Sequence, residues 1–271
     1  MAFVAYRMHL LTKSGAIAAS VVGSAVFAGT GVRGSVTLMM YFLSASLLSQ
    51  LPRPAVFAQS RGSKRDAIQV LANGGVPSLL AAIHFHAPAR RRPVVSLAYA
   101  SAVAAAAADT WATELGGRYG ANPRSIVTGR RVTPGVSGGV SLLGLAATAA
   151  GSALIALTAT ALGPGSPREI SHQRNFLAIS TAGVAGSLVD SLVGATLQEA
   201  RFCHKCSTST ELPTHACGAK SMLMRGVPGW NNDVTNVVGI VSGMVVGIAM
   251  EKLNGRSRLT PTPWNDELPP T

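Results

Sequence analysis

The sequence predicts an all-α integral membrane protein, a polytopic helix bundle of about six to seven transmembrane helices. Three observations predict it. The 271 residues are 48% hydrophobic and only 13% charged, where a soluble domain carries about 25% charge. Glycine is abundant, with 29 residues, and aromatics make up only 5%; small residues let membrane helices approach closely. Apolar stretches recur along the chain at 14–32, 35–51, 66–86, 93–108, 138–163, 174–197 and 233–250.

Each stretch is judged by length, since a crossing needs roughly 17–25 residues. The segments 35–51 and 93–108 are marginal, and one re-entrant segment would reduce the count to six. The first follows Arg7 and Lys13, as a signal peptide would. No small-x-small cleavage pattern follows it and six further apolar segments do, so an uncleaved helix is expected. Residues 1–253 form one membrane domain. The Pro-rich polar segment 254–271 reads as a disordered tail.

Lysine and arginine counts orient the bundle. With seven crossings, one side holds Arg7 and Lys13, then Arg53, Arg61, Lys64 and Arg65. It also holds Arg118, Arg124, Arg130 and Arg131, then Arg201, Lys205, Lys220 and Arg225. The other side holds Arg33, Arg90, Arg91, Arg92, Arg168, Arg174, Lys252, Arg256 and Arg258. The richer side, with the N-terminus, is expected to be cytoplasmic. The +12 net charge then points to an anionic membrane surface or a phosphorylated ligand rather than nucleic acid, because long uncharged runs serve no nucleic-acid binder.

Acids within membrane helices are costly and therefore candidates for function. Asp109 closes the fourth segment and Glu114 follows it. Asp190 lies inside the sixth, Asp66 opens the third and Asp233 opens the seventh. The orientation brings these acids toward the basic face. Carboxylates that hold magnesium, beside cations that neutralise phosphate, are what phosphoryl transfer requires. For Asp66 and Asp233 a helix N-cap is an equally good account.

Two loops add chemistry. In NPRSIVTGRRVTPGVSGGVSLLG (122–144), Ser137, Gly138 and Gly139 precede a helix start, and their amides suit an anion. Lys64, Arg65, Arg124 and Arg131 are the candidate phosphate-holding cations. The loop is also readable as a Gly-rich turn whose arginines mark the inner leaflet. In the sixth loop, Cys203, Cys206, His215 and Cys217 have the spacing of four tetrahedral ligands and could hold a structural zinc; reduced thiols without metal are the alternative. The odd cysteine count, in one place, does not suit a secreted disulfide framework.

ANGGV at 72–76, ADTWATELG at 108–116, PGVSGGVSLLG at 134–144, GSLVDSLVGATLQ at 186–198 and NNDVTNVVG at 231–239 resemble the membrane family known as domain of unknown function 92, from about residue 10 to 250. That family includes transmembrane protein 19 and the plant phytyl-phosphate kinase. The resemblance implies phosphorylation of an isoprenoid monophosphate to its diphosphate, with a nucleoside triphosphate as donor and magnesium as cofactor. The substrate's chain would lie between helices in the bilayer. By that analogy Asp109, Glu114, Asp190 and Asp233 coordinate magnesium or position the attacking phosphate. A transporter or flippase and a non-catalytic membrane scaffold are the competing readings; a transporter wants its acids near the midplane, a kinase at one rim. No transit peptide precedes the first helix, which favours a bacterial plasma membrane over an organelle membrane.

Overall fold

The computed structural model describes residues 2–52, 64–163, 170–210 and 212–254. A short helix α1 (Ala2–Arg7) leads into α2 (Lys13–Ser49), α3 (Ala67–His86) and α4 (Arg92–Trp111), which runs on through a π-helical turn, Ala112–Gly117. A two-stranded hairpin, β1 (Arg124–Ser125) with β2 (Gly139–Val140), precedes α5 (Leu142–Ala161) and α6 (Ile170–Thr196). A three-stranded antiparallel sheet, of β3 (Ala200–Cys203), β4 (Thr208–Thr210) and β5 (Met222–Arg225) in the order β4-β3-β5, fills the connection to α7 (Asn232–Asn254). The expected tail, 254–271, lies outside the described residues apart from Asn254, which ends α7.

Among the described residues, six helices are long and apolar enough to cross a membrane. The first of them, α2, has 37 residues, or about 55 Å of helix, nearly twice the roughly 30 Å hydrocarbon thickness. It is broken at Gly31, where φ is 63° and ψ −156°, a conformation that glycine adopts without a Cβ clash. Packing shows that the chain reverses there. In the first half, Gly15 lies on the Arg65 carbonyl, Val22 on Gly74 and Gly29 on Ala81, so this half runs alongside α3 in the same direction. In the second half, Gly34 accepts a hydrogen bond from Tyr99 at 2.9 Å, Ser44 from Trp111 at 3.2 Å and Leu48 from Arg118 at 3.1 Å, so it runs with α4. Helices α3 and α4 are antiparallel, joined through a short 3-10 turn at Ala89–Arg91. Segments 14–32 and 35–51 therefore form two antiparallel helices, so that the six apolar helices of the described residues provide seven candidate crossings.

The break leaves helix-end carbonyls without intrahelical donors. The Gly29 carbonyl is met by His84 Nδ1 at 2.7 Å, so this buried histidine serves the turn.

Helix α4 is the centre. Every residue from Ser96 to Ala108 is buried, and 72% of its apolar window is enclosed, against 28–44% for the other spans. A helix enclosed all round has no polar face, which accounts for the alanine run. Its neighbours approach through glycines: a Cβ on Gly186 would meet Ala105 Cβ at 2.6 Å, and one on Gly243 would meet it at 2.7 Å. Large apolar residues such as Ile17, Val21, Phe27, Leu79, Leu157 and Val245 point outward, as a lipid-facing surface requires.

Contacts collect the segment ends into two groups. At one end, Thr12 bonds to the Arg65 carbonyl at 3.0 Å and Arg118 to the carbonyls of Leu48 and Leu51. There too, Gly116 packs on Gly144, Gly138 on Ala195, and Glu199 N donates to Trp230 O at 2.9 Å. The turns at Gly31 and 87–91 lie at the other.

Two outcomes check this architecture. A membrane-impermeant thiol reagent applied to intact cells will reach Arg90→Cys but neither Arg7→Cys nor Thr128→Cys; labelling of Arg90→Cys and Arg7→Cys from the same side would refute the reversal at Gly31. Gly186→Leu or Gly243→Leu will lower the melting temperature in detergent, with overpacking costing about 1–3 kcal/mol, whereas Gly75→Ala, where an added Cβ meets nothing within 4 Å, will not.

Candidate functional site

The alanine run of α4 ends in Asp109, and α6 brings Asp190 to meet it. The two carboxyl groups lie within hydrogen-bonding reach of each other. They come from residues 81 apart in sequence and face each other because Gly186 lets α6 approach α4 at Ala105; on the other side of Asp190, Gly239 brings α7 close, where an added Cβ would stand 3.0 Å from Asp190 Cβ. Two carboxylates at this separation repel unless a proton or a cation lies between them.

Two amides complete the surroundings. Asn73 of α3 and Asn236 of α7 line the same crevice, with Ala105, Ala106, Gly186, Gly239 and Ile240. With its amide nitrogen turned to the acid, Asn236 donates to Asp190 Oδ2 at 3.2 Å and to the Asn232 carbonyl at 3.1 Å. Asn73 Nδ2 donates to the Gln69 carbonyl at 3.0 Å, one turn back. The crevice is narrow, and its four polar residues are half-buried. Four helices thus contribute one polar side chain each. Asp190 precedes the end of α6 at Thr196 by six residues, about 9 Å along the axis, so the pair lies in the half of the bundle toward the basic loops rather than at the midplane.

The remaining acids have other contacts. Glu114 pairs with Arg118 one helical turn on, and Arg118 also holds the end of α2. Asp66 is the N-cap of α3, accepting from Gln69 N at 2.9 Å in a complete capping box. Asp233 is buried in the first turn of α7, but the capping is done by Asn231, whose Oδ1 accepts from Asp233 N at 3.0 Å and Val234 N at 3.1 Å.

The candidate phosphate-holding residues lie on the loops of the same end. Lys64 is exposed, with Nζ 3.4 Å from His9 Nδ1, and Arg65 is bonded through its backbone to Leu10 and Thr12. Arg124 donates to the Gly129 carbonyl at 2.8 Å and so closes its own hairpin; Arg131 bridges Arg124 through the backbone. At Gly138 the φ of +81° and the close contact with Ala195 show that the backbone approaches helix α6. Ser137 and Gly139 belong to the same packed turn, with Gly139 N donating to Val136 O at 2.9 Å. Helix α5 is capped by Ser141, which accepts from Gly144 N at 3.1 Å.

The cysteine loop is the second cluster. One ligand atom from each of Cys203, Cys206, His215 and Cys217 lies within 4.8 Å of all the others, the one such group of three or more His, Cys, Asp or Glu among the described residues. Cys203 Sγ and Cys217 Sγ are 3.6 Å apart, and His215 Nδ1 is 3.2 Å from Cys217 Sγ. That contact with His215, helped by the Ala219 amide, draws the Cys217 thiol down to about 6, while hydrogen bonding to Cys217 pushes Cys206 up to about 11.

Asn73, Asn236 and Arg225 are the residues that sequence reasoning did not single out. Arg225 donates to the carbonyls of Ala195 at 2.7 Å and Gly194 at 3.1 Å, capping the end of α6. The two asparagines stand inside ANGGV and NNDVTNVVG, where an amide among apolar residues was the available signal.

Comparison with known proteins agrees with this architecture. The family model described as integral membrane protein DUF92 matches residues 1–244. "Protein PGR" of Arabidopsis thaliana is 31% identical over 223 residues, covering 75% of this chain and 77% of the relative. An uncharacterized membrane protein of Methanocaldococcus jannaschii is 28% identical over 202 residues, covering 73% and 79%. An uncharacterized membrane protein of a Synechocystis strain is 31% identical over 194 residues, covering 70% and 72%. No solved structure matches. The chain belongs to the DUF92 family of integral membrane proteins.

Proposed function

We propose that this protein is a membrane phosphotransferase that converts an isoprenoid monophosphate to its diphosphate, with a nucleoside triphosphate as donor and magnesium as cofactor. The observation that carries the reading is the meeting of Asp109 and Asp190 beside Asn73 and Asn236, in the half of the bundle that bears the basic loops. A transport site would be expected nearer the midplane.

The donor set fits the metal: carboxylate and amide oxygens are hard ligands of the kind magnesium takes. Asp109 and Asp190 would hold the ion, with Asn73 lining the same crevice, and Asn236 fixes the orientation of Asp190. Bound magnesium supplies charge neutralisation for the phosphates. Glu114 and Asp233, on the same end, position the attacking phosphate or its metal. Lys64 and Arg131 receive donor phosphates at the rim, with Arg65 and Arg124 adding charge and Ser137 and Gly138 offering amides; the Gly139 amide is already held by the Val136 carbonyl. A phosphate oxygen of the isoprenoid monophosphate attacks the γ-phosphorus. A new P–O–P linkage forms as the bond to the nucleoside diphosphate breaks, and the nucleoside diphosphate leaves with the electron pair. The isoprenoid chain stays in the apolar medium between helices. The crevice around the acid pair is narrow and its four polar residues are only half-buried, so the α3, α6 and α7 ends part to admit a phosphate. The membrane proposed is a bacterial plasma membrane.

Purified protein in detergent, given phytyl or geranylgeranyl monophosphate, magnesium and each nucleoside triphosphate, will yield the diphosphate. Asp109→Asn and Asp190→Asn will lower the rate by about 100-fold or more while remaining monodisperse. Chelation of magnesium will abolish turnover and its return will restore it. No diphosphate from folded protein with any isoprenoid length would move the reading to transport.

A further inference from the structure

We propose that Cys203, Cys206, His215 and Cys217 bind one zinc ion, which fixes the connection between α6 and α7. The ligands come from two turns of matched form. In the first, Cys203 ends β3 and Cys206 lies in the turn to β4, followed by Ser207 with φ +52°. In the second, His215 and Cys217 precede Gly218 with φ +80°, and the turn is closed by a Thr214–Lys220 bridge and by His215 N donating to Ala219 O at 2.9 Å. Each turn thus places a left-handed residue directly after its second ligand.

The spacing is that of a tetrahedral site. Zinc–sulfur bonds of about 2.3 Å place two ligand sulfurs about 3.8 Å apart, and Cys203 and Cys217 stand 3.6 Å apart. All four ligand atoms fall within 4.8 Å of one another. Four protein ligands leave no open position, so the ion is structural.

Its role follows from what the sheet is attached to. Arg225, at the end of β5, holds the last carbonyls of α6. Glu199 is buried, paired with Arg201 at 3.0 Å, and its amide donates to Trp230 O at the threshold of α7. Joining β3 to the turn before β5 through the metal turns the 197–231 connection into one unit that holds the ends of α6 and α7, and with them Asp190 and Asn236. The inference is independent of the proposed phosphotransfer.

The full-length chain, purified in detergent without chelators, will carry one zinc per chain by elemental analysis. Cobalt substitution will give the intense visible bands of a tetrahedral thiolate site. Cys206→Ser and Cys217→Ser will lose both signals. Because a variant can fail to fold, the second arm uses the wild type: an organomercurial will release the zinc stoichiometrically to a chromogenic chelator and increase tryptic cleavage at Lys205 and Lys220 at least about tenfold, with helicity retained. A monodisperse chain holding iron or no metal would overturn the site, as would full zinc in the Cys206→Ser/Cys217→Ser variant. Cleavage unchanged by zinc release would overturn the fixing role.

Discussion

The close contact of α4 with its neighbours is the constraint from which the remainder of the bundle follows. In a bilayer there is little hydrophobic drive between helices, so association rests on packing and on hydrogen bonds. The residues of α4 from Ser96 to Ala108 are buried on all sides, and α6 and α7 reach it across Gly186 and Gly243. Alanine on one side and glycine on the other allow backbones to approach as no larger pair would. The same closeness sets Asp109 against Asp190, because the acids stand at the end of the tightly packed stretch.

Placing two carboxyl groups together in an apolar bundle is unfavourable in itself. Among the described residues the pair is lined by amides rather than by a cation: Asn236 bonds Asp190, and Asn73 lies across the crevice. The described lysines and arginines lie on loops, on the short strands and toward helix ends rather than beside the pair. Arg118 and Arg225 serve helix ends by capping carbonyls, and Arg124 closes a turn. Part of the basic charge is therefore architectural, and this tempers the view of every rim arginine as a phosphate ligand. The Gly-rich loop is tempered likewise, since Gly138 makes room for Ala195.

The break at Gly31 and the α6–α7 connection are two solutions to one problem, the reversal of a chain at a membrane face. The first uses a single glycine in a left-handed conformation, with His84 meeting the nearby Gly29 carbonyl. The second spends a sheet of three strands and gathers the cysteines on it. Both reversals keep backbone polar groups bonded, which an apolar medium demands.

The sequence by itself determined the helix bundle, its approximate spans and the end toward which its acids lie. Run length and charge placement are local properties, and hydrocarbon thickness converts them directly into crossings. It also marked Asp190 and Asp109, because a carboxyl among apolar residues stands out in one dimension. It indicated Asp66 as a cap, where spacing to Gln69 is local chemistry. Only the tertiary structure decided that 14–32 and 35–51 reverse on each other, since one glycine permits a turn without dictating it. Only the tertiary structure singled out Asp109 and Asp190 as partners, tied Glu114 to Arg118, and revealed Asn73 and Asn236. Those relations depend on which helix faces meet, and that is set by glycine and alanine contacts between segments far apart in the chain.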